Sequence, residues 1–396
     1  MKLLFHANRF PYPPFRGDKL KIYNLALELS KNHELHLLTF LEEEDDLKYL
    51  PALEKVFTSI HLVPLPKKRA YWGTIKSIWN QLPSQVSYFY HKEMNDKIDD
   101  LLATHTFDAV HVQHLRLAPY WQERNDIPRI LDLPDAFSLY WQRRVEISSG
   151  IKKAFSQWEY KKLKKYEQVI KAFDLALVCS LEDLKYLRKE QSLSNVELLR
   201  NGVNIEQFPL LPHDYDIENH IIFTGNMDYA PNVDAVLYFH EEIWPMIQQA
   251  LPETKWIIAG QRPVQKVLDL ANDNIKITGF VEDMAEVYKK ASIVISPLRI
   301  GAGTQNKVLE AMAMGVPVVS RHIGFTGLGI EQGEGVLEAN ASKDFAAACI
   351  QLLKSATDRK AIGEAGQQVI QEHNTWGTIS LVLETYFEGI LGKEKS

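Results

Sequence analysis

The stretch from Ser296 to Ser320 reads SPLRIGAGTQNKVLEAMAMGVPVVS, a pattern that predicts a strand end, a glycine loop, a helix and a second strand. Gly301 and Gly303 allow the backbone of this loop to pass close to a ligand. Thr304 to Met314 has the composition of a helix, which Gly315 should end. Because a helix that starts directly after a loop offers unpaired N–H groups and the positive end of its dipole, this stretch suits a phosphate or diphosphate group.

Two charged residues lie one turn apart on this predicted helix. Lys307 and Glu310 have the spacing of an ion pair on a solvated helix face, which would contribute little to stability. The alternative is that both side chains face a ligand beside the glycine loop. The local sequence leaves both interpretations open.

The composition is that of a globular protein with more than one core. At 396 residues, with 45% hydrophobic and 24% charged residues, the chain is expected to form two domains. A net charge of −6 argues against a nucleic-acid binder. Cys179 and Cys349 lie in apolar segments, which indicates buried thiols in a reducing compartment. No apolar run approaches the length of a membrane span, so we expect a cytoplasmic protein.

Short apolar strands alternate with longer helices throughout the chain, which predicts α/β domains with parallel sheets. The predicted strands are residues 2–7, 34–40, 59–64, 109–113, 129–133, 175–179, 196–199, 221–225, 256–259, 275–278, 293–296, 318–319 and 336–337. The predicted helices are residues 19–31, 95–104, 151–173, 181–191, 234–250, 264–272, 284–291, 304–314 and 344–355.

We therefore expect two Rossmann-like, doubly wound domains that face each other across a cleft. Their predicted bounds are residues 1–205 and 206–376, with a last helix over 377–396 that crosses back to the first domain. The Pro-containing segment 201–219 has little periodicity and is interpreted as the hinge. Ligands of such folds bind at the carboxyl ends of the strands.

Six segments together match the motifs of one known family, in the expected order. They are PPFRG at 13–17, FDAVHVQ at 107–113, LRNGVN at 199–204, FTGNMDYAPN at 223–232, ITGFVED at 277–283 and the stretch 296–320. The chain thereby resembles family-4 retaining glycosyltransferases of the GT-B fold, in particular the bacterial branch of exopolysaccharide-type sugar transferases.

The resemblance implies an enzyme that moves a sugar from a nucleotide-diphosphate sugar to a glycan or lipid-linked acceptor with retention of configuration, in polysaccharide or cell-envelope glycan synthesis. It implies no metal ion and no cofactor, since the nucleotide sugar is itself the substrate. Two other functions fit the same fold. A nucleotide-sugar epimerase or hydrolase would use the donor alone, and a non-catalytic nucleotide-sugar-binding protein would bind it without turnover.

The resemblance also assigns roles to residues. The carboxylate of Glu310 would accept hydrogen bonds from the nucleotide ribose. Phe280 and Val281 would line the base pocket, and Gly17 would approach the donor phosphates or the acceptor, with an ordinary turn glycine as the alternative. The implied donor-binding set is Gly17, Gln113, Asn226, Phe280, Val281, Gly301, Ala302, Gly303, Thr304, Asn306 and Glu310.

Departures from the family pattern shift the expected catalytic residues. Ala302 stands where a first glutamate, seven residues before the second, usually contacts the donor sugar. A usual arginine and lysine are replaced by Asn226 and, roughly, by Pro231-Asn232. The diphosphate leaving group still needs a cation. Lys307 and Arg299 flank the phosphate loop and are our candidates.

In the first domain, candidate residues follow two predicted strands. The family has a histidine at the end of strand 109–113, where strict register places Gln113 and the next residue is His114, a candidate donor-sugar contact. Asp135 and Ser138 follow strand 129–133 on the same rim and are acceptor-side candidates. Asp135 as a helix N-cap is the alternative.

Two basic, aromatic stretches, residues 67–90 and 151–171, suit contact with an anionic membrane surface. Solvated helix faces with a few core aromatic residues would have much the same sequence. Peripheral membrane contact is therefore one interpretation of these stretches and a solvated surface is the other.

Overall fold

The computed structural model describes residues 1–14, 17–300 and 305–393 of the chain. These residues form two compact units. The first unit is Met1–Arg200 together with Ile379–Ser396, and the second is Asn201–Thr378. Each unit has its own parallel sheet and its own hydrophobic core.

Within the described residues, the first unit is built on seven parallel strands in the order β3-β2-β1-β4-β5-β6-β7. They are β1 Lys2–Ala7, β2 Glu34–Leu41, β3 Ser59–Pro64, β4 Ala109–Gln113, β5 Arg129–Leu133, β6 Leu175–Val178 and β7 Val196–Leu198. The α-helices are α1 Gly17–Leu29, α2 Leu50–Leu53, α3 Lys67–Lys76, α4 Ser84–Phe89, α5 Lys92–Thr104, α6 Phe137–Ile147, α7 Gly150–Tyr166 and α8 Leu181–Lys189. Every residue of β4 and β5 is buried, as expected for central strands of a sheet that is covered on both faces.

The second unit, where the structure describes it, has six parallel strands in the order β10-β9-β8-β11-β12-β13. They are β8 His220–Thr224, β9 Lys255–Ala259, β10 Ile275–Gly279, β11 Ile293–Ser296, β12 Val318–Ser320 and β13 Val336–Glu338. Its helices are α9 Ala230–Tyr238, α10 Trp244–Ala250, α11 Gln265–Leu268, α12 Ala285–Tyr288, α13 Asn306–Ala313, α14 Ser342–Lys354 and α15 Ala356–His373. The final helix is α16 Trp376–Lys393, whose residues from Ile379 onward belong to the first unit.

The strand order reverses once in each sheet. In the first unit the reversal lies between β1 and β4, and in the second it lies between β8 and β11. In doubly wound folds this reversal point opens a crevice at the carboxyl ends of the strands, where ligands bind. The predicted fold class, two doubly wound parallel α/β domains, is confirmed.

Some predicted helices differ from the structure. The predicted helix 234–250 is interrupted, because α9 ends at Tyr238, a π-helical turn covers Phe239–Ile243, and α10 starts afresh at Trp244. Pro245, the second residue of α10, has no N–H to donate into the preceding turn, so a continuous α-helix cannot form there. The predicted helices 264–272 and 284–291 shorten to α11 and α12.

The core of the second unit centres on three aromatic residues. The rings of Phe239 and Trp256 lie 4.7 Å apart, and those of Trp244 and Trp256 lie 5.7 Å apart. Cys349 is buried in the same core, and Cys179 is buried in the first unit, where its thiol donates to Pro134. Neither cysteine forms a disulfide, which confirms the interpretation of both as buried thiols. No helix in the described ranges is both long and apolar enough to cross a bilayer.

Candidate functional site

The predicted phosphate-binding stretch lies at the reversal point of the second sheet. Strand β11 ends at Ser296, and α13 begins at Asn306. The predicted loop residues Gly301, Ala302, Gly303 and Thr304 lie outside the described residues. The strand on the other side of the reversal, β8, leads into Gly225 and Asn226.

Lys307 is the second residue of α13 and its side chain points into the protein. Only 9% of the residue is exposed. Its amine donates to Asn232 Oδ1 at 3.0 Å and lies 4.1 Å from the centre of the Phe223 ring. Burial lowers the pKa of this amine from 10.5 to about 7, although nearby Glu310 partly opposes the change. The alternative of a solvated surface pair is therefore wrong.

Asn232 connects this amine to the loops that follow β8 and β9. Its Nδ2 donates to the backbone oxygen of Asn226 at 3.0 Å, and the Asn226 side chain accepts from Gln261 Nε2 at 3.0 Å. A Cβ on Gly225 would lie only 2.6 Å from Asn232 Nδ2, so the loop passes too close for a larger residue. The sequence suggested Asn226 as a donor contact. In the structure Asn232 bonds to both the Lys307 amine and the Asn226 backbone, and so links the two residues.

Glu310 is held by a buried tyrosine. Its Oε2 accepts from Tyr288 Oη at 2.9 Å, and the same hydroxyl lies 2.9 Å from Thr224 Oγ1 at the end of β8. Burial raises the pKa of Glu310, while the Tyr288 hydrogen bond and Lys307 act in the opposite direction. Tyr288 was not recognised from the sequence, since it is 22 residues from Glu310 and follows no motif.

Arg299 has a carboxylate partner of its own. Its Nε and Nη2 donate to Asp234 at 3.0 and 2.5 Å, and its guanidinium lies 4.5 Å from the centre of the Tyr238 ring. This bidentate pair balances the charge of Arg299 inside the second unit. Of the two predicted diphosphate cations, Lys307 is therefore the one without a hydrogen-bonded carboxylate among the described residues.

The other predicted donor residues of this unit lie on the adjoining loops. Phe280 follows β10 with 66% of its surface exposed, directly after Gly279, whose φ of +69° is in the left-handed region. Val281 is half-buried beside it. Asn306 starts α13, and its Oδ1 accepts from Asn201 Nδ2 at 3.2 Å.

In the first unit, three predicted residues meet at the reversal of the sheet. Gln113 ends β4, and its Nε2 donates to the backbone oxygen of Asp18 at 2.6 Å, next to Gly17 at the start of α1. A Cβ on Gly17 would have no atom within 4 Å. Local packing therefore does not require glycine at this position.

His114 follows Gln113 in an unusual conformation. Its φ of +81° lies in the region that non-glycine residues rarely adopt. The ring is buried 4.4 Å from the Phe137 ring, edge to face, and among the described residues Nδ1 has no hydrogen-bond partner. Burial holds its pKa well below the usual value, and Arg116 and Arg9 lower it further. Strain and an unsatisfied buried nitrogen together are features of functional sites.

The two acceptor-side candidates behave differently. Asp135 is half-buried, and burial, followed by the nearby carboxylates of Asp183 and Glu167, raises its pKa to about 7. Helix α6 starts at Phe137 without a side-chain cap, so the alternative that Asp135 is an N-cap is wrong. Ser138 is fully buried and its hydroxyl donates to Glu167, so the structure does not bring this side chain to the surface.

The predicted residues thus form two groups, one in each unit. The second unit brings together Lys307, Glu310 and Asn226 through Asn232 and Tyr288. The first unit brings together Gly17, Gln113 and His114, with Asp135 two residues after the end of the neighbouring strand β5. Within the described ranges, no three His, Cys, Asp or Glu side chains converge in a way that could hold a metal ion.

Comparisons with known proteins agree with this architecture. Residues 218–355 match the family described as "Glycosyl transferases group 1". A Klebsiella pneumoniae protein described as "Uncharacterized 44.6 kDa protein in cps region" is 24% identical over 391 residues, which cover 94% of this chain and 96% of that protein.

Two solved structures match almost the whole chain. Sucrose-phosphate synthase from Thermosynechococcus elongatus has a TM-score of 0.72 and 14% identity, covering 99% of this chain and 100% of that chain. Anabaena Alr3699/HepE in complex with UDP has a TM-score of 0.70 and 13% identity, covering 98% and 100%. The fold is that of GT-B glycosyltransferases, and together with the family match it supports glycosyl transfer.

Proposed function

We propose that this chain is a retaining glycosyltransferase that moves a sugar from a nucleotide-diphosphate sugar to a glycan or lipid-linked acceptor. The observation that carries the proposal is that a buried amine, Lys307, and the carboxylate of Glu310 lie one turn apart on α13 at the reversal point of the second sheet, each held by its own hydrogen bond. Doubly wound folds bind nucleotides at this point. A cation and an acceptor of hydroxyl hydrogen bonds are the two groups that a nucleoside diphosphate requires.

In this proposal α13 and Lys307 hold the diphosphate. The N–H groups at the start of α13 and the amine of Lys307 face the negative charge that grows as the diphosphate leaves. Because the amine is buried, its attraction for that charge is less screened than it would be in water. Glu310, oriented by Tyr288, accepts hydrogen bonds from the ribose, and the exposed ring of Phe280 stacks on the base.

The acceptor oxygen bonds to the anomeric carbon on the face from which the diphosphate leaves, while the bond from that carbon to the diphosphate oxygen breaks and the hydroxyl proton passes to the departing diphosphate. The step uses no protein nucleophile and no metal ion. Retention rests on the resemblance to family-4 enzymes. Metal independence also rests on that resemblance, with the buried amine of Lys307 as the group that we expect to oppose the diphosphate charge once the nucleotide is bound. Activity that persists in EDTA is the expected result, and activity that is lost in EDTA and restored by a divalent cation would contradict this part of the proposal.

We further propose a UDP-sugar donor and a role in polysaccharide or cell-envelope glycan synthesis. The Anabaena protein with the same fold was solved in complexes with UDP and with UDP-glucose. The description of the Klebsiella relative places it in the cps region. The first observation supports UDP as the nucleotide, which the sequence left open, and the second supports the role in polysaccharide synthesis that the resemblance implies.

The decisive experiment measures release of nucleoside diphosphate from a panel of nucleotide sugars, with and without glycan acceptors. A glycosyltransferase releases the diphosphate faster when its acceptor is present. An epimerase or hydrolase acts equally well without any acceptor, and a binding protein shows affinity without turnover.

A calorimetric titration with UDP tests the proposed donor site. Lys307→Ala and Glu310→Ala should each weaken binding by about tenfold or more, the usual cost of a lost charged contact. Lys31→Ala is the matched control, because Lys31 forms an exposed pair with Glu28 at the same spacing. Unchanged affinity in both site variants would refute the donor site.

Peripheral contact with an anionic membrane at the cytoplasmic face is also part of the proposal. Trp72 and Trp79, on and just after α3, are 64% and 78% exposed, and Ile78 between them is 61% exposed. Lys67 and Lys68 at the start of α3 are exposed as well. Aromatic and aliphatic side chains beside lysines are typical of surfaces that insert among anionic headgroups.

Flotation with liposomes that contain phosphatidylglycerol tests this contact. The wild type should float at low salt and should be released at high salt. A Trp72→Ser, Trp79→Ser double variant should no longer float, whereas Leu381→Ser, which removes another exposed apolar residue, should behave as the wild type. Absence of flotation at low salt would refute the membrane contact.

A further inference from the structure

We propose that Asn8, together with His114 and Asp135, forms a site in the first unit that binds the hydroxyl groups of a neutral sugar in the acceptor. The inference rests on the proposed function in one respect, namely that the first unit receives the acceptor. Asn8 belongs to none of the six motif segments of the sequence. Its role is inferred from its burial, its place in the sheet and the state of its amide.

The side chain of Asn8 is fully buried and lacks hydrogen bonds. No part of the residue is exposed to solvent, and neither Nδ2 nor Oδ1 has a hydrogen-bond partner among the described residues. Buried polar groups in folded proteins are almost always paired, so an exception calls for an explanation. Another buried asparagine of this unit follows the rule, since Asn24 Nδ2 donates to the backbone oxygen of Leu20 at 2.8 Å. The packing of the unit therefore does not account for an amide at position 8.

Asn8 lies at the reversal point of the first sheet. It comes one residue after β1 ends, and β1 pairs with β4 in a register that aligns His6 with Val112. Two residues further along, the same register aligns Asn8 with His114, the residue with the left-handed φ of +81° and the unpaired, buried Nδ1. Doubly wound folds bind their ligands at this point. The unpaired amide is thus placed where a ligand is expected.

A third unpaired polar atom follows the next strand of the sheet. Strand β5 pairs with β4, and Asp135 comes two residues after β5 ends. Its Oδ1 is buried and has no hydrogen-bond partner in the part of the chain that the structure describes. The adjacent strands β1, β4 and β5 are therefore each followed by one such side chain, just beyond their carboxyl ends. A few convergent polar groups that the fold itself does not pair are what a binding site for a small polar ligand requires.

The chemistry of the three side chains suits sugar hydroxyls. The amide of Asn8 offers both donors and an acceptor. Burial holds the pKa of the His114 imidazole well below its usual value, so the ring is neutral and offers one donor and one acceptor. The carboxyl group of Asp135 accepts as well. A hydroxyl both donates and accepts and can pair with all of these atoms, whereas a phosphate oxygen can only accept and would leave the acceptor atoms of the site unpaired.

The substitution Asn8→Leu separates a binding role from a structural one. An unpaired buried amide destabilises the fold, and an apolar side chain of nearly the same shape removes that cost. If the amide serves a ligand, Asn8→Leu should be at least as stable as the wild type but should bind the sugar less well, a trade-off that is common at functional sites. An amide that stabilises the fold would give the opposite result, a loss of stability with unchanged binding.

The test combines two measurements on the full chain, both made without any donor. Thermal denaturation gives the melting temperature of each variant. Saturation-transfer NMR titration follows binding of four neutral probes, the methyl glycosides of glucose, galactose, mannose and N-acetylglucosamine. At least one probe should bind the wild type, and Asn8→Leu should bind that probe about tenfold more weakly, as expected when a sugar hydroxyl loses its partner. The melting temperature of Asn8→Leu should equal or exceed that of the wild type.

Asn195→Leu is the matched control. Asn195 lies in the same unit, and its Nδ2 donates to the backbone oxygens of Ile170 and Phe173 at 2.9 and 2.8 Å. Because this amide is paired, Asn195→Leu should lower the melting temperature and leave sugar binding unchanged. The proposal is overturned if none of the four probes binds the wild type, or if Asn8→Leu binds them as the wild type does. It is also overturned if Asn8→Leu melts at a lower temperature or fails to fold.

The outcome is separable from that of the proposed function, because sugar binding and stability are measured without a donor. If sugar binding does not depend on Asn8 while the protein still releases nucleoside diphosphate in the presence of an acceptor, this inference alone fails. If sugar binding depends on Asn8 but no nucleoside diphosphate is ever released, the proposed function fails and the first unit remains a sugar-binding site.

Discussion

Binding of UDP should be coupled to proton uptake by Lys307. In the protein without nucleotide, burial beside Asn232 and the Phe223 ring lowers the pKa of this amine from 10.5 to about 7. A diphosphate placed against the amine would stabilise its charged form and return the pKa toward its ordinary value. The experiment therefore varies the pH and compares the wild type with Lys307→Met, whose side chain at this position cannot bind a proton.

The expected magnitude follows from that pKa. An amine with a pKa near 7 is about nine-tenths charged at pH 6 and about one-tenth charged at pH 8. If the nucleotide restores full charge, binding takes up about 0.9 proton at pH 8 and about 0.1 proton at pH 6. By the same linkage, UDP affinity should fall by up to about tenfold for each pH unit above 7.

Calorimetry in two buffers with different ionisation enthalpies, such as phosphate and Tris, measures the uptake. The binding heats measured in the two buffers at pH 8 differ. This difference, divided by the difference between the ionisation enthalpies of the buffers, gives the number of protons taken up on binding. Lys307→Met provides the correction for protons taken up by the phosphates of UDP or by other residues. If the wild type and Lys307→Met take up the same number of protons at pH 8, Lys307 does not gain a proton when UDP binds, and the proposed contact between its amine and the diphosphate is refuted.

The same pKa predicts a difference in stability. Between pH 7 and 10.5 the unfolded chain binds more protons at this lysine than the folded protein, so this residue makes stability rise with pH. The cost of burying the charge is largest on the acidic side, at about 5 kcal/mol as an upper bound. Lys307→Met should thus be more stable than wild type at pH 6, and the gap should shrink by about 1 kcal/mol at pH 8. A gap that is independent of pH in urea denaturation would contradict the low pKa.

Three further substitutions have expected outcomes. Tyr288→Phe removes a fully buried hydroxyl that donates to Glu310. It should lower the free energy of unfolding by about 1–2 kcal/mol in urea titrations and should weaken UDP binding. If both values were unchanged, the hydrogen bond between Tyr288 and Glu310 would have no role in stability or binding. Glu159→Ala removes the buried carboxylate that accepts hydrogen bonds from the N–H and hydroxyl of Ser84. It should lower the free energy of unfolding by about 3 kcal/mol in urea titrations. A change near zero would show that these hydrogen bonds do not stabilise the fold. Gly17→Ala should leave the melting temperature unchanged, because a Cβ at this position meets no atom within 4 Å. It should reduce the rate of sugar transfer if a donor phosphate approaches this glycine. Full activity of the variant would show that Gly17 is not part of the site.

The sheets were predictable from sequence because their strands are buried on both faces. Such strands appear as short continuous apolar runs, for example LLFHA in β1 and ALV in β6, and this signal does not depend on distant residues. The reversal points follow once the strands and their order are known. The position of α13 was predictable for a different reason, since Gly315 ends it with a φ of +72° that favours glycine.

The partners of the charged side chains were not predictable. Lys307 bonds to Asn232 across 75 residues of sequence, and Arg299 bonds to Asp234 across 65. Spacing within a helix suggested a pair between Lys307 and Glu310 instead, because only local neighbours are visible in a sequence.

Placement of the Lys307 amine bears on the departures from the family pattern. The enzymes that this chain resembles commonly have a lysine at roughly the position of Pro231-Asn232, and the chain has none there. In the structure the amine of Lys307 reaches the side chain of Asn232 at 3.0 Å. We infer that a positive charge is available near the usual place but is supplied from α13 rather than from the start of α9. A neutral asparagine there is then an advantage, because a second lysine beside Lys307 would lower the pKa of both amines through mutual repulsion. An Asn232→Lys variant should therefore be less stable than wild type and should bind UDP no more tightly, and a gain in affinity without loss of stability would show that the two positions act independently.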